Sequence, residues 1–453
     1  MSAARPADPP PPGAPAPPLP RALGLGAAAL LVVASMIGAG VFTTTGFLVR
    51  DLGAPAAVLL AWAAGGLVAL CGALAYAELG AALPANGGEY RLLGRIYHPA
   101  VGFIAGWISL IVGFSAPMAA SAIAFGEYLG RLLPGLPPTL AGLALVLALA
   151  ALHALRVRVG GRVQDLVTVL LVALIVAFIA GGVVVGDLGR LAAGPGPRGT
   201  AAIVASPAFA VGLVYVSFSY SGWNAAAYIA GEIDRPSLNI PRALLLGTAA
   251  VAALYVGLNL VFLVAAPPAE LAGQVEVGYI AALSLFGPEV GAAMTVVVAL
   301  GLLTTVSALM MAGPRVYEAM GADHPRIGAL AARLGGGGRG PTAAIALQVA
   351  VAAAMVLAAA FDDLLAYMGL TLSLSAALTI AGVFVLRRRE PALPRPYRTW
   401  GHPLTTLIAL ALTLWMAAHT VAERPVTALV AAATALVGLL LYLGLRAPPR
   451  RAP

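Results

Sequence analysis

The first long apolar run of the chain is interrupted in its middle by the stretch from Ser35 to Gly46, which sets glycines and hydroxyls at a depth where a lipid-facing helix needs neither. In hydrocarbon every backbone N–H and C=O must find a partner, so a helix opens at Gly38-Ala39-Gly40 only where the freed groups face a cavity or a ligand. The half-helix beginning there would turn its free amides and positive dipole end inward, an arrangement suited to a carboxylate. A second interruption, Phe218-Ser219-Tyr220-Ser221-Gly222-Trp223-Asn224, lies near the middle of the chain. Paired breaks at matching places in two halves point to a solute site at membrane depth. Small residues also serve close helix packing. For Gly38-Ala39-Gly40 alone the two readings balance, and the matching break around Ser221 turns them toward a site.

The 453 residues are 61% hydrophobic and 10% charged, far more apolar than a soluble globular domain. All 26 basic residues are Arg; the sequence contains no Lys. With both termini placed inside, 21 of them fall on the cytoplasmic side and five, Arg50, Arg131, Arg190, Arg198 and Arg424, fall outside. The positive-inside rule then fixes the expected orientation. The formal net charge of +8 is explained by membrane topology, and no nucleic-acid partner is expected. Cys71 is the one cysteine and sits in an apolar run, so no disulfide framework exists.

Residues 1–20 hold nine prolines and read as a disordered cytoplasmic tail with polyproline character. They lack the layout of a cleaved leader, so the first apolar span is expected to be retained. At about 20 apolar residues per crossing, the rest divides into about twelve spans, near 23–49, 54–82, 99–130, 139–154, 163–186, 203–231, 242–265, 289–318, 342–361, 363–386, 403–422 and 425–445. Pro241 is expected in the first turn of the seventh span, where its missing N–H costs nothing. The external segment between spans seven and eight is expected to hold a short surface helix. Five spans with one break followed by five with another are what an inverted repeat gives, because an odd span count turns the second copy upside down. The expected units are 21–200, 201–390 and a C-terminal pair of helices in 391–453.

Several stretches resemble the amino acid–polyamine–organocation superfamily, particularly its bacterial amino-acid permeases. They are Ile37-Gly38-Ala39-Gly40-Val41-Phe42, Ala75-Tyr76-Ala77-Glu78-Leu79-Gly80 with Gly87-Gly88-Glu89-Tyr90, Arg162-Val163-Gln164-Asp165, Phe218 to Asn224 with Glu232 and Asn239-Ile240-Pro241-Arg242, Gly313-Pro314-Arg315-Val316-Tyr317, and Arg395-Pro396-Tyr397-Arg398. They occur in the family's order over residues 23–445. The resemblance implies an all-α polytopic membrane protein of twelve transmembrane helices. Its fold would be a five-plus-five inverted repeat with helices 1 and 6 broken, plus two C-terminal helices, working by alternating access. It implies that a substrate carboxylate meets the amides of Gly38, Ala39 and Gly40. The α-amino group would meet carbonyls at Met36, Ile37, Phe218 and Ser221, with Ser219 and Asn224 beside them. Phe218 aligns with an aromatic that covers the substrate as a thin gate. Trp223 and Asn224 would line the pocket or lock the second break, and Tyr220 would pack. Ser221 stands where many relatives carry Asp or Gly, which leans toward neutral substrates over dibasic amino acids or polyamines.

Coupling is where the chain departs from the family. Proton-linked or sodium-independent members often carry a Lys six residues after the Asp of the Val-Gln-Asp motif; counted from Asp165 that position is Leu171. Thr304, Thr305 and Ser307, with carbonyls of the first break, could offer oxygen ligands to sodium, although such hydroxyls commonly bond back to their own helix. Proton coupling through Glu78, Glu127 or Glu232 is the alternative, against a snorkelling or loop-capping role for each. No cofactor is expected. An intramembrane enzyme finds no His-Glu-x-x-His pair and no Gly-x-Ser-x-Gly elbow, and the five histidines are scattered. A channel would want a continuous polar stripe, whereas polarity here gathers at two breaks.

Overall fold

The computed structural model describes residues 23–154, 161–192, 194–324, 326 and 342–445. The Pro-rich segment 1–20, most of the loop from Arg156 to Arg162 and the tail after residue 445 lie outside the described residues. Among the described residues every regular element is helical, apart from one isolated bridge between Leu23 and Ile233.

The first half runs α1 (Leu25–Met36), α2 (Ala39–Leu52), α3 (Pro55–Ala82), α4 (Gly88–Ile96), α5 (Pro99–Ile108), α6 (Ala116–Leu132), α7 (Pro138–Ala154) and α8 (Gly161–Val185). Next come α9 (Gly196–Val204), α10 (Pro207–Ser219), α11 (Ala225–Tyr228), α12 (Pro236–Ala265), α13 (Pro268–Leu271) and α14 (Val277–Phe286). The remainder is α15 (Pro288–Asp323), α16 (Thr342–Ala358), α17 (Phe361–Arg389), α18 (Leu404–Glu423) and α19 (Pro425–Leu445). Prolines at 55, 99, 207, 236 and 288 open their helices, using a ring already set for helical φ where no intrahelical N–H bond is lost.

Eight described helices are long and apolar enough to cross a membrane, or ten when each bent pair counts as one span. The protein is therefore an all-α polytopic membrane protein. The expected fourth and ninth spans are the shorter apolar helices Pro138–His153 and Ala344–Ala358, so twelve crossings remain an expectation. Between spans seven and eight, where one short surface helix is expected, the structure has two, α13 and α14, each with buried residues.

One boundary and one span interior differ from the sequence reading. α12 begins at Pro236, so Pro241 lies inside it and is buried, where it removes one internal hydrogen bond. Pro236 already supplies the favourable N-terminal proline, which is why the helix starts a turn early. Span three is not a uniform α-helix either: between α5 and α6 the turn widens to a π-helix over Ser109–Ser115, with the Ser115 hydroxyl donating to the Leu110 carbonyl five residues back, at 3.0 Å.

The core forms where α3 packs on α12, α1 on α12, and α10 on both α2 and α17. Trp62, Tyr220 and Tyr255 are fully buried there, with ring centroids 5.0–5.9 Å apart. The Tyr220 hydroxyl donates to the Trp62 carbonyl at 3.0 Å and the Tyr255 hydroxyl to the Met36 carbonyl at 2.5 Å. An aromatic set with satisfied hydroxyls thus ties the end of α1 to the end of α10, fixing both breaks against one scaffold.

Candidate functional site

α1 ends at Met36 and α2 begins at Ala39, their axes bent by 40°. Between them Ile37 and Gly38 are extended. The break therefore falls at Ile37 and Gly38, with Gly38 as the N-cap and Ala39 and Gly40 opening the first turn of α2. Their amides are the ones that a helix start leaves without carbonyls of its own.

In the second half, α10 continues through Phe218 and Ser219 before the chain turns at 220–224 into the four-residue α11. The helix on the far side of this break is much shorter than an intact half-span. A sharper bend, 64°, lies earlier, between α9 and α10. Ser206 makes it, accepting from the Phe209 N–H at 3.2 Å ahead of Pro207, a pairing that stops α9 and starts α10.

The two breaks touch. Gly222 has φ +98 and lies against the end of α1: a Cβ there would stand 2.3 Å from the Ser35 carbonyl oxygen. Gly40 lies against the end of α10, where a Cβ would come within 2.6 Å of Ser219. Gly38 is open by comparison, its nearest neighbour being the Thr305 Cγ2 methyl, 3.8 Å from where a Cβ would sit.

The polar groups around this junction are largely paired. Ser219 is buried, its hydroxyl donating to the Tyr215 carbonyl at 3.1 Å and lying 2.8 Å from the Thr44 hydroxyl. Thr45 binds the Asn259 side chain and accepts from the Trp62 indole. The Phe218 carbonyl accepts from the Ser221 N–H at 2.8 Å, and the Met36 carbonyl takes the Tyr255 hydroxyl. A carbonyl oxygen has a second lone pair, so both can still receive an ammonium. Phe218 is buried, whereas Ser221, Gly222, Trp223 and Asn224 are half-exposed.

Of the two roles open to Trp223 and Asn224, the structure gives both residues contacts that hold the break. The Trp223 ring meets Tyr76 edge-on at 4.8 Å and packs over Gly72. The Asn224 amide donates to Glu89 Oε1 at 3.2 Å.

The candidate coupling residues do not converge. Thr304 and Thr305 both donate to the Gly301 carbonyl, at 2.8 and 3.0 Å; Ser307 pairs with His153 Nε2 at 2.9 Å. Leu171 packs toward Gly301. Glu78 is buried against two guanidinium groups, accepting from Nε and Nη2 of Arg387 at 2.9 and 2.7 Å with Arg395 3.6 Å away. It also accepts from the Thr399 N–H and hydroxyl, so it clamps α3 to α17 and the segment beyond. Glu232 is half-exposed and accepts weakly from Asn86 at 3.4 Å. Glu127 is half-exposed on α6.

Sequence reasoning quoted Glu89 within a motif without giving it a role. Glu89 is 5% exposed and receives Tyr76, Ser375 and Asn224. Positive φ at Gly87 and Gly88 makes the turn that throws α4 inward. The available signal was a carboxylate directly after a Gly-Gly turn, in a stretch expected to be a loop.

A family model described as Amino acid permease matches residues 23–441. The serine/threonine exchanger SteT of Bacillus subtilis (strain 168) is 28% identical over 435 residues, covering 94% of this chain and 97% of that protein. The large neutral amino acids transporter small subunit 2 of Homo sapiens is 28% identical over 438 residues, covering 94% and 80%. The Asc-type amino acid transporter 1 of Homo sapiens is 27% identical over 392 residues, covering 84% and 74%. With nearly the whole bundle matched and both breaks inside the match, the chain belongs to the amino acid permease family of the amino acid–polyamine–organocation superfamily.

Proposed function

We propose that this permease carries neutral amino acids across the plasma membrane by alternating access of a five-plus-five inverted repeat. The substrate carboxylate rests on the amides of Gly38, Ala39 and Gly40. Its ammonium rests on carbonyls of Met36, Ile37, Phe218 and Ser221. The observation that carries this reading is the interlock of the two breaks, Gly222 on Ser35 and Gly40 on Ser219, which brings a helix start and a helix end to one place. The partial positive charge of the helix start and the partial negative charge of the helix end then lie side by side, matching a zwitterion. Phe218 covers the substrate as a gate.

Neutral substrates fit because Glu89, which reaches the second break, is already engaged by Tyr76, Ser375 and Asn224. The names of the relatives, a serine/threonine exchanger and a large neutral amino acids transporter, point the same way. We further infer that both termini face the cytoplasm, from the distribution of Arg. Exchange or proton linkage is favoured over sodium symport, since the Thr304 and Thr305 hydroxyls turn back to Gly301.

The test is a panel of radiolabelled amino acids taken up by proteoliposomes, with and without sodium and pH gradients and with unlabelled amino acid inside or absent. Saturable uptake of neutral amino acids, competed by unlabelled substrate, is the expected result. Uptake confined to dibasic amino acids or polyamines, or none at all, would overturn the assignment.

A further inference from the structure

Two buried glutamates lie near each other in the sequence and are treated oppositely. Glu78 is neutralised by Arg387 and Arg395. Glu89, on α4 outside the spanning helices, has no cation within ion-pair distance among the described residues. Its partners are the Tyr76 hydroxyl from α3 at 2.5 Å, the Ser375 hydroxyl from α17, and the Asn224 amide of the second break at 3.2 Å.

The other groups facing it are phenolic. Tyr228, at the end of α11, has its ring 2.4 Å from where a Gly88 Cβ would be, and its carbonyl accepts from the Gly87 N–H at 3.0 Å. The neighbours of Glu89 on α4, Tyr90 and Arg91, turn away to Asp323 of α15 at 2.5 and 2.7 Å. α17 offers the hydroxyls of Ser375 and Thr379 at this level; its three arginines lie in its last turn, where Arg387 is held by Glu78 and Arg389 donates to the Ile96 carbonyl.

This partner set accepts Glu89 in either charge state. Hydroxyls donate or accept, so a neutral carboxyl can donate to Ser375 or Tyr76 and still receive Asn224, losing no hydrogen bond. Burial opposes the charged form and pushes the Glu89 carboxyl above its ordinary value, while the bonds from Ser375, Tyr76 and Asn224 pull the other way. Opening the bundle at this end admits water and removes the penalty of burial. The closed arrangement therefore binds the proton more tightly than an open one, and by linkage the proton favours the closed arrangement.

We propose that Glu89 is a positioning residue of the transport cycle: its protonated carboxyl holds the second break, through Asn224, against α3 and α17, and loss of the proton releases the break so that this end of the bundle opens. The proposal rests on the breaks being the transport site, but its test needs no substrate.

A single thiol is placed in the break by Ser221→Cys in a Cys71→Ala background, and its rate of labelling by a methanethiosulfonate reagent is followed in detergent. The rate is normalised at each pH to that of the unfolded chain. With Glu89 present, labelling slows as pH is lowered, by up to about tenfold per unit, the limit for one proton. Glu89→Gln, which carries the neutral shape permanently, labels at the slow rate throughout. Asn224→Ala keeps Glu89 but cuts its tie to the break, so labelling is fast and independent of pH while the thermal midpoint still varies with pH. This second variant carries the test if Glu89→Gln does not fold. A pH-independent rate in the parent, or a pH response that survives in Glu89→Gln, overturns the proposal. Failure of the amino-acid panel alone leaves it standing and removes only the substrate assignment.

Discussion

Gly40 and Ser219 approach so closely that a methyl group on Gly40 would lie 2.6 Å from both the Cα and the Oγ of Ser219. The start of α2 and the end of α10 are thus in direct backbone contact, and that contact is what the missing side chain of Gly40 protects. Overpacking such a contact costs about 1–3 kcal/mol. Gly40→Val is expected to abolish uptake and lower the thermal midpoint of the purified protein. Gly38→Ala is the control: its Cβ would meet only a methyl at 3.8 Å and its extended backbone accepts any residue, so folding is retained. Comparing thermal midpoints of the two variants checks the geometry, and a stable, fully active Gly40→Val would contradict it.

Gly222 carries two constraints at once. Its φ of +98 excludes most side chains without strain, and a Cβ would sit 2.3 Å from the Ser35 carbonyl. Positive φ costs a non-glycine residue about 1–3 kcal/mol, and the clash adds to this. Gly222→Ala is expected to push the second break off the end of α1, giving a protein that reaches the membrane but takes up no amino acid. Surface expression with lost uptake is the measured signature; unchanged uptake would mean that the breaks do not need to touch.

Much of this was legible beforehand, because the bilayer imposes one rule on every crossing. Apolar runs with glycine interruptions read directly as spans and breaks, and the observed breaks fall within a residue or two of Gly38 and Ser221. What the sequence did not carry was tertiary pairing. Whether Thr304 points to a cation or to Gly301 depends on a rotamer, and the length of α11 depends on how Trp223 and Asn224 are gripped from α3 and α4. Glu89 was hidden for the same reason: its importance comes from Tyr76 and Ser375, which are far from it in the chain or on other helices. The early start of α12 at Pro236 was missed because two prolines competed for one helix start.

Glu78 should behave as a structural clamp, separate from the proton on Glu89. Removing Arg387 leaves the buried Glu78 with Arg395 at 3.6 Å and the Thr399 donors as its remaining partners; with Arg387 29% exposed, the cost is expected at about 1–3 kcal/mol, below that of a dry pair. Arg387→Met should lower the thermal midpoint while leaving the pH dependence of uptake unchanged. A shifted pH profile in that variant would move the proton site from Glu89 to Glu78.

Stability itself should report on Glu89. Its carboxyl is held above the ordinary value of 4.5 by burial, so the folded chain keeps a proton that the unfolded chain gives up. Such a group contributes stability that is fully present below pH 4.5 and is lost as pH rises through the native value. The difference in thermal midpoint between the parent and Glu89→Gln should therefore move against the parent as pH rises from about 4.5, with a limiting slope of about 1.4 kcal/mol per pH unit. Scanning calorimetry or dye-based melting across that range measures it. A difference that does not change with pH would mean that Glu89 does not titrate in the folded chain.

Thr305 separates sodium symport from sodium-independent transport. Its hydroxyl donates to the Gly301 carbonyl at 3.0 Å, while its methyl group is the side-chain atom nearest Gly38. Thr305→Val keeps the methyl facing the break and deletes only the hydroxyl, which commonly bends a helix slightly when bonded back to it. If the hydroxyl is spent on its own helix, the variant folds, and its uptake, like that of the parent, ignores an imposed sodium gradient. If the hydroxyl is instead a sodium ligand, the parent responds to sodium and the variant loses that response, because an ion that prefers oxygen donors has been offered a methyl group in their place. Uptake by both proteins, side by side, with sodium or with choline outside the vesicles, decides between them, and the position of the hydroxyl on Gly301 predicts two curves that superimpose.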